Sequence, residues 1–283
     1  MIDPQSLANT VRAALDEDLG AGDLTSRLVV PLEVRAHGRI VARESLVVAG
    51  IDVAREVFRQ VDPAMIFRPE AKDGDTRERD SSLGSVEGAA RSILAGERTA
   101  LNFLQRMSGI ASMTRRLVQL AAGSGVEIAD TRKTAPGLRA FDKDAVRAGG
   151  GTNHRAGLYD AILIKDNHWR LAGGVGEAVR RARAGAPGTP AAGTPIEIEV
   201  TTVEEVEQAL SAGAEALLLD NMDPATLESA VRIARGRAFL EVSGGVREED
   251  VARLVRTGVN RISLGALTHS VRAADIALEV GPA

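Results

Sequence analysis

The sequence contains no cysteine, only four lysines against thirty-one arginines, one tyrosine and one tryptophan. Without cysteine the chain has no disulfide, no catalytic thiolate and no zinc site with cysteine ligands. No apolar run approaches the ~20 residues that a membrane-spanning helix needs. The polar, acidic N-terminus is unlike a secretory signal peptide. We therefore predict a cytoplasmic protein that has no membrane partner.

The other totals are those of an ordinary globular enzyme. A length of 283 residues suffices for one large domain or two modest ones, with 44% hydrophobic and 26% charged residues. A net charge of −4 argues against nucleic acid as the main partner. A basic cluster nevertheless lies within residues 130–168, together with two of the four histidines and the single tyrosine. This cluster favours a small anionic ligand.

The N-terminal part of the chain has the pattern of a small α+β domain. Local spacing predicts helices and strands in the order helix 5–18, strand 34–42, strand 46–48, helix 52–60 and strand 85–94. A long helical pattern then begins at Gly96 and Glu97, and Gly109 predicts a break or kink in it.

From residue 126 onward, short β runs alternate with amphipathic helices. The strands are predicted over 126–129, 161–164, 196–200, 216–219, 239–242 and 261–264. The helices are predicted over 142–148, 175–184, 203–212, 224–234 and 247–256. Thr202 with Glu205 forms a capping box, and Asp223 caps a helix that begins with proline. This alternation predicts a parallel sheet in a closed or nearly closed α/β barrel, with a loop over 185–195 and one more helix after Thr268.

Each predicted strand of the second part ends in a polar group or a glycine turn. In chain order these are Arg132 and Lys133, Lys165, Glu199, Asp220, Ser243 with Gly244 and Gly245, and Gly265. Function gathers at the carboxyl ends of strands in α/β barrels. Glu197 and Glu199 share one face of their strand because side chains alternate along it. Two like charges on one buried face are costly unless a cation or a hydroxyl-rich ligand joins them.

Taken singly, these residues have plainer interpretations. The pair Arg132 and Lys133 suits a solvated loop, and Lys165 suits a salt bridge with Asp166. His154 suits a local cap, His168 suits the surface, and Glu197 and Glu199 suit pairing with interior basic groups.

Taken together, the residues suit two anionic substrates. Donors for carboxylates or phosphates are Arg132, Lys133, His154, Arg155 and Lys165. Glu199 and Asp220 suit ribose hydroxyls or a magnesium ion. The glycine turns suit a terminal phosphate, because bare backbone amides bind it.

Several motifs follow one another across nearly the whole chain. They are EDLGAGDLTS (17–26), GERTALNFLQRMSGIAS (96–112), DTRKTAPGLRAFDKDAVRAGGGTNHRAGLYDAILIKDNH (130–168), IEIEV (196–200), LLLDNM (217–222), EVSGG (241–245) and ISLGALTHS (262–270). In sequence and order they closely resemble the quinolinate phosphoribosyltransferases, also called carboxylating nicotinate-nucleotide pyrophosphorylases. The resemblance implies an N-terminal α/β sandwich over 1–108, with 269–283 packing back on it, and an incomplete, open α/β barrel over 109–268.

The resemblance also implies an activity and residue roles. Phosphoribose would pass from phosphoribosyl pyrophosphate to quinolinate with decarboxylation, giving nicotinate mononucleotide, pyrophosphate and CO2 in NAD biosynthesis. Quinolinate would be bound by Arg98, Thr131, Arg132, Lys133, His154, Arg155 and Lys165. Phosphoribosyl pyrophosphate would be bound by Glu199, Asp220, Ser243, Gly244, Gly245, Leu264, Gly265 and Ala266.

The same resemblance names the catalytic residues, the cofactor and the assembly. Lys165, Glu199 and Asp220 would be catalytic, and Glu199 and Asp220 would hold Mg²⁺, directly or through water. Family members are homodimers, or dimers assembled into homohexamers, and Arg98 would reach into the active site of the neighbouring subunit.

Three other functions compete with this one. Lys165 at a strand end suits a Schiff-base lyase, although an arginine-rich anion clamp is more than a simple aldolase needs. A paralogue with the same barrel, such as the proteins found with molybdenum transport genes, would act on another substrate. A non-catalytic binding protein is expected to lack some of the strand-end charges, and none is missing here.

Overall fold

A computed structural model describes residues 2–189 and 191–283. The chain divides into two compact units. The first comprises the residues up to Arg115 together with Thr134–Gly150 and Leu267–Ala283, and the second comprises Arg116–Lys133 and Gly151–Ala266. Among the described residues, none of the helices has the length and hydrophobicity of a membrane span.

The helices and strands follow one another along the chain. The first part contains α1 (Pro4–Leu19), α2 (Leu24–Val29), β1 (Arg35–Ala42), β2 (Leu46–Val47), α3 (Ile51–Val61), β3 (Ile66–Pro69), β4 (Thr76–Arg77), β5 (Ser82–Ala89) and α4 (Ala90–Leu120). The second part contains β6 (Glu127–Ala129), α5 (Arg139–Ala148), β7 (Ile162–Ile164), α6 (Asp166–Ala172), α7 (Val175–Gly185), β8 (Ile196–Val200), α8 (Val203–Ala212), β9 (Ala216–Asp220), α9 (Pro224–Ala234), β10 (Phe239–Ser243), α10 (Glu248–Leu254), β11 (Arg261–Ser263), α11 (Ala266–His269) and β12 (Ile276–Pro282).

The first unit is built on an antiparallel sheet with the strand order β12-β1-β5-β3. In the first half of β1, exposed and buried residues alternate, as expected for a strand with one face on the core. The helix α1 begins at an N-cap, where the Asp3 carboxylate accepts a hydrogen bond from the Ser6 amide. The predicted helices over 5–18 and 52–60 and the predicted strand over 34–42 are confirmed.

Three predictions in this unit are wrong. The strand predicted over 85–94 ends at Ala89, and the helix predicted from Gly96 begins at Ala90. Gly109 neither breaks nor ends α4, which is continuous to Leu120. A Cβ atom at Gly109 would lie 2.2 Å from the carbonyl oxygen of Arg272, so the glycine permits the close approach of this backbone.

The C-terminal segment is also not the predicted helix. Residues Ile276–Pro282 form the strand β12, which pairs antiparallel with β1 from Ala36 to Ala42. The segment therefore completes one edge of the sheet of the first unit. Its short amphipathic pattern did not distinguish a helix from a strand, because the hydrogen-bonding partner lies more than two hundred residues away in the sequence.

The second unit is built on a parallel sheet of six strands, in the order β6-β11-β10-β9-β8-β7. Within the described residues β6 and β7 are the edges and do not pair with each other, so the sheet is open. The predicted combination of an N-terminal sheet domain with an open α/β sheet is confirmed. All six predicted strands are present within two residues of their predicted bounds.

The predicted helix starts in this unit are confirmed as well. The Glu205 amide donates to the Thr202 hydroxyl, and the Glu205 carboxylate accepts from the Thr202 amide. Asp223 accepts hydrogen bonds from the amides of Ala225 and Thr226 at the start of α9. The loop predicted over 185–195 contains no helix or strand over 186–189 and 191–195, and Pro190 lies outside the described residues.

The register of the sheet brings charged residues into one row. Lys165 directly follows β7, and Ile164 pairs with Ile198, so Lys165 lies beside Glu199. From Glu199 the row continues across the sheet through Leu218, Glu241, Arg261 and Glu127. Side chains in register on neighbouring parallel strands point to the same face. One face of the sheet therefore carries this line of charges, which we call the charged row.

Candidate active site

The carboxyl ends of the parallel strands carry a second layer of polar residues, one step beyond the charged row. Asp220 pairs directly with Ser243 across β9 and β10, and Ser263 pairs with Ala129 across β11 and β6. Asp220 lies two residues after Leu218 and so shares the face of Glu199. Groups that are far apart in the sequence thus converge on one end of one sheet.

Lys165 and Glu199 form an ion pair at this end. The Nζ atom of Lys165 lies 2.5 Å from Oε2 of Glu199. The Lys165 side chain is 47% exposed, whereas that of Glu199 is only 11% exposed. Lys165 can therefore pair with Glu199 and still donate to an anion that binds from solvent, because an ammonium group has three donors.

The backbone at Lys165 is fixed by a reciprocal cap. The Lys165 amide donates to Nδ1 of His168 at 2.8 Å, and the His168 amide donates to the Lys165 carbonyl at 2.8 Å. His168 is therefore not merely a surface residue, since it orders the turn between β7 and α6. The salt bridge suggested between Lys165 and Asp166 is replaced by pairs of Lys165 with Glu199 and of Arg170 with Asp166.

Arg132 and Arg155 each lie three residues beyond the bridged pair Ala129 and Thr152 at the end of β6, and their charges interact. Burial lowers the pKa of Arg155, and the positive charge of Arg132 lowers it further. The buried Nε of Arg132 has no hydrogen-bond partner among the described residues. Adjacent like charges and an unsatisfied buried donor are both unfavourable without a ligand. Binding of a carboxylate between them would relieve both costs.

The loop after β6 also presents Thr131 and Lys133. The Thr131 hydroxyl accepts a hydrogen bond from the Lys133 amide at 3.0 Å, which closes a tight turn. Lys133 is exposed, and Thr131 is partly exposed. This turn therefore displays the basic side chains at the edge of the sheet.

The side chain of His154 lies between two carboxylates. Its Nε2 is 3.4 Å from Oε2 of Glu197 and 3.3 Å from Oε1 of Glu241. Its Nδ1 accepts a hydrogen bond from the Arg155 amide at 2.8 Å. Burial alone lowers the pKa of His154, but the two carboxylates beside Nε2 outweigh it and raise the pKa to about 9.

Asp130 holds the backbone on which His154 is placed. This fully buried carboxylate accepts from Nδ2 of Asn153 at 2.6 Å and from the His154 amide at 2.9 Å. The Thr152 amide also donates to the Ile128 carbonyl, which joins the segment to β6. The chain from Thr152 to Arg155 is thus tied to the first strand of the sheet.

The other half of the site consists of glycine turns. Gly244 and Gly245 follow β10 with φ of 87° and 57°, in the left-handed region that favours glycine. A Cβ atom at Gly244 would lie 2.5 Å from the side chain of Asn221, so these two residues are in close contact. The backbone N–H of Asn221 also donates to the Ser243 carbonyl at 3.1 Å. Only glycine fits this turn without strain.

A second turn leaves the neighbouring strand at the same edge. Leu264 and Gly265 follow β11, and the Leu264 amide donates to the Ala129 carbonyl at 2.9 Å. Because β10 and β11 are paired in parallel, the turns over 243–245 and 264–266 leave the sheet side by side. Small residues and backbone amides at this position suit a phosphate group.

Two groups of residues have the chemistry to hold a metal ion. Glu199 and Asp220 offer oxygen ligands on one face, as a hard cation such as Mg²⁺ prefers. His154, Glu197 and Glu241 also bring ligand atoms within 4.8 Å of one another. There the Arg155 amide donates to Nδ1 of His154, which leaves the ring proton on Nε2. A protonated Nε2 cannot ligate a metal, so the second group favours a proton over a cation.

All predicted site residues except Arg98 belong to the second unit. They meet at the carboxyl end of its sheet, whereas Arg98 lies exposed on α4 in the first unit. The sequence interpretation missed Glu241, Arg261 and Asp130. The sequence did contain a signal for Glu241, which is an acidic residue inside the apolar strand FLEVS. The same alternation of apolar and acidic residues drew attention to Glu197.

The raised pKa of His154 predicts a pH-dependent contribution to stability. Its pKa in the folded protein, about 9, exceeds the ordinary value of 6.5. The contribution is therefore fully present below pH 6.5 and is lost as the pH rises through 9, with a size of at most about 3 kcal/mol. Thermal unfolding measures this contribution. The difference in Tm between wild type and His154→Gln is expected to narrow as the pH rises from 6 to 10.

His37 provides a control for this experiment because it is exposed on β1. His37→Gln is expected to unfold in parallel with the wild type across the same pH range. A His154→Gln difference that stays constant or widens with pH would contradict the prediction.

Comparisons with known proteins cover the whole length of the chain. Residues 23–108 match the family model described as "Quinolinate phosphoribosyl transferase, N-terminal domain", and residues 110–279 match the corresponding C-terminal domain. A probable nicotinate-nucleotide pyrophosphorylase [carboxylating] of Bacillus subtilis (strain 168) is 42% identical over 264 residues, covering 93% of this chain and 90% of the relative.

Solved structures agree with the sequence comparisons. NadC from Streptococcus pyogenes superposes with a TM-score of 0.93 at 36% identity, covering 100% of this chain and 99% of that one. The nicotinate-nucleotide pyrophosphorylase from Francisella tularensis superposes with a TM-score of 0.92 at 37% identity, covering 99% and 98% of the two chains.

Proposed function

Because this chain belongs to the quinolinate phosphoribosyltransferase family, we propose that the strand-end residues of its second unit carry out that family's reaction. The enzyme transfers phosphoribose from phosphoribosyl pyrophosphate to quinolinate with loss of CO2, giving nicotinate mononucleotide and pyrophosphate. It is a pentosyltransferase of NAD biosynthesis. The observation that carries the residue assignment is the pair Arg132 and Arg155, two neighbouring cations with a buried donor that lacks a partner among the described residues.

Quinolinate would bind at the cationic end of the sheet. Arg132 and Arg155 would hold one carboxylate in their forks, and Lys133 and Lys165 would approach the other as point charges. Thr131 would order the turn that presents them. His154 as a direct ligand, and Arg98 as a contribution from a neighbouring subunit, remain predictions from the family resemblance.

Phosphoribosyl pyrophosphate would bind at the glycine turns. Ser243, Gly244 and Gly245 would surround the 5′-phosphate from one side, and Leu264, Gly265 and Ala266 from the other. Glu199 and Asp220 would accept hydrogen bonds from the ribose hydroxyls. The adjacency of the two turns in the sheet supports this arrangement.

In the reaction, the pyridine nitrogen attacks the anomeric carbon and pyrophosphate leaves with the bonding electrons. Positive charge develops on the sugar, where the carboxylates of Glu199 and Asp220 would stabilise it. The ring nitrogen of the resulting nucleotide is positive, so it stabilises the carbanion that forms at C2 as the 2-carboxylate departs as CO2. This carbanion then takes up a proton from solvent at C2, which gives nicotinate mononucleotide. The protein's part is to position the reactants and to exclude water, and no single general base is required.

Magnesium is part of this proposal. Glu199 and Asp220 would hold it, directly or through water, because both offer oxygen ligands on one face of neighbouring strands. When bound, the ion supplies charge neutralisation for pyrophosphate. Lys165 would keep Glu199 in position from the quinolinate side.

The assembly and location are further proposals. We propose a homo-oligomer, either a dimer or a hexamer, with active sites shared between subunits. Apolar side chains on the first unit support the oligomer. Leu24, Leu28, Val29 and Leu32 are each at least 69% exposed. A cluster of exposed apolar residues marks a protein interface more often than free surface. A cytoplasmic location remains the prediction made from the sequence.

A spectrophotometric assay tests the proposed function. Quinolinate, phosphoribosyl pyrophosphate and Mg²⁺ are expected to give nicotinate mononucleotide, whereas nicotinate is expected to remain unused. Chelation of the metal should abolish turnover, and added Mg²⁺ should restore it. Turnover of another acid instead would favour the paralogue, and covalent trapping of Lys165 by borohydride with a carbonyl substrate would favour the Schiff-base lyase.

A further inference from the structure

Glu241 is a buried acid for which the proposed reaction has no direct use. Its side chain is fully buried, and it lies in the charged row two residues before Ser243. Arg261 donates to its Oε2 at 3.2 Å, and Nε2 of His154 lies 3.3 Å from its Oε1. A carboxylate removed from water is costly unless such partners compensate it. Its presence in the core of the sheet therefore calls for a specific role.

The partners of Glu241 form a continuous chain of alternating charge. It runs from Glu127 through Arg261, Glu241 and His154 to Glu197. Burial raises the pKa of Glu241, but its interactions with His154, with the Ser263 hydroxyl and with the charge of Arg261 outweigh it and lower the pKa. Glu241 is thus an anion that stabilises the imidazole beside it.

The imidazole of His154 connects this chain to the quinolinate half of the site. One ring nitrogen points at Glu241 and Glu197, and the other accepts the Arg155 amide. In the neutral ring the proton lies on Nε2 and faces the carboxylates, which leaves Nδ1 as the acceptor for the Arg155 amide; a charged ring carries a proton on Nδ1 as well and would lose that hydrogen bond. The ring therefore acts on the backbone of Arg155, next to the guanidinium that lies near Arg132.

We propose that Glu241 is a positioning residue, which holds the ring of His154 and through it the backbone of Arg155 so that the guanidinium faces a quinolinate carboxylate. The inference rests on the proposed function, since it takes Arg155 to be a quinolinate ligand. It assigns His154 an indirect role, by way of the main chain. Glu197 supports the same ring from the neighbouring strand β8.

The test separates quinolinate binding from phosphoribosyl pyrophosphate binding. Glu241→Gln keeps the shape of the side chain and removes its charge. It is expected to weaken quinolinate binding about tenfold, both as KM and as a Kd measured by calorimetry without the second substrate. The KM for phosphoribosyl pyrophosphate is expected to stay within about twofold, because the proposed route from Glu241 runs through His154 to the backbone of Arg155, on the quinolinate side of the site.

A double-mutant cycle with His154→Asn distinguishes positioning from direct contact. Asparagine can place an acceptor near the position of Nδ1 but is too short to reach the glutamates. If Glu241 acts through His154, adding Glu241→Gln to His154→Asn should weaken quinolinate binding by no more than about twofold further. Independent, multiplicative effects of the two substitutions would overturn the proposal.

Glu127→Gln is the matched control, because Glu127 contacts the same Arg261 at the far end of the charged row. It is expected to leave both KM values within about twofold of wild type. Equal changes in both KM values for Glu241→Gln, or none, would refute the positioning role. If Glu241→Gln does not fold, Glu197→Gln removes the other carboxylate at Nε2 and is expected to weaken quinolinate binding selectively.

The same experiments keep this inference separate from the proposed function. Arg155→Lys retains the charge but removes the fork, and it should weaken quinolinate binding whatever Glu241 does. If Arg155→Lys binds quinolinate as wild type does, the proposed role of Arg155 fails, and the inference fails with it. If only Glu241→Gln is without effect, the inference alone is wrong.

Discussion

Lys165→Ala is expected to lower kcat/KM for quinolinate by about 100- to 1,000-fold. The substitution removes a donor from the cationic end of the sheet. It also leaves the carboxylate of Glu199 without the ammonium group that lies 2.5 Å from it. An uncompensated anion would then face the carboxylates of the substrate. Steady-state kinetics with each substrate varied in turn measure the loss.

Lys72→Ala is the matched control, since Lys72 is an exposed lysine in the other compact unit. Its kinetics are expected to be those of the wild type. Arg132→Ala should resemble Lys165→Ala in its selectivity for quinolinate, because it removes one of the two neighbouring guanidiniums. Wild-type turnover by Lys165→Ala and Arg132→Ala would refute the assignment of the quinolinate site.

Asp142→Asn is expected to destabilise the first unit by about 3 kcal/mol. The Asp142 side chain is fully buried on α5, and Arg106 on α4 donates to both of its oxygens, at 2.8 and 2.7 Å. Arg106 also donates to the Thr268 carbonyl, and Asp142 accepts from the Ala135 amide. An amide in place of the carboxylate leaves a largely buried guanidinium without its counter-charge.

Urea unfolding monitored by circular dichroism measures this loss. Asp52→Asn provides the comparison, because Asp52 pairs with Arg55 on an exposed helical surface. A surface pair of this kind contributes less than about 1 kcal/mol. Equal free energies of unfolding for Asp142→Asn and Asp52→Asn would show that the buried pair stabilises the protein no more than the exposed pair does.

The elements that were predicted correctly are those specified by neighbouring residues. The strand over 196–200 alternates apolar and acidic residues, and the helix over 203–212 begins at a capping box. Both signals lie within a few residues of the elements they define, so the sequence displays them directly. The parallel sheet of the second unit follows from repeating such local patterns.

The elements that were predicted wrongly depend on distant partners. The strand β5 passes into α4 without an intervening loop, so no turn residue marks the change. The strand β12 exists because β1 pairs with it, and Gly109 is required because Arg272 approaches it. Patterns in a short window cannot contain these contacts.

The candidate site shows the same division. The strand-end residues were found because strand ends can be located in the sequence. The contacts of Glu241 with His154 and Arg261 depend on the register of β10 against its neighbours and on the segment that carries His154. Register is a property of the assembled sheet, so these contacts were visible only in three dimensions.

The open sheet of the second unit has a consequence for how the chain avoids aggregation. Its two edge strands, β6 and β7, are three residues long, as is the inner strand β11, whereas β8, β9 and β10 have five. Part of β6 is also bridged by Thr152. A foreign strand would find little unsatisfied main chain to dock on. The sheet can therefore stay open while offering little edge for a second chain to pair with.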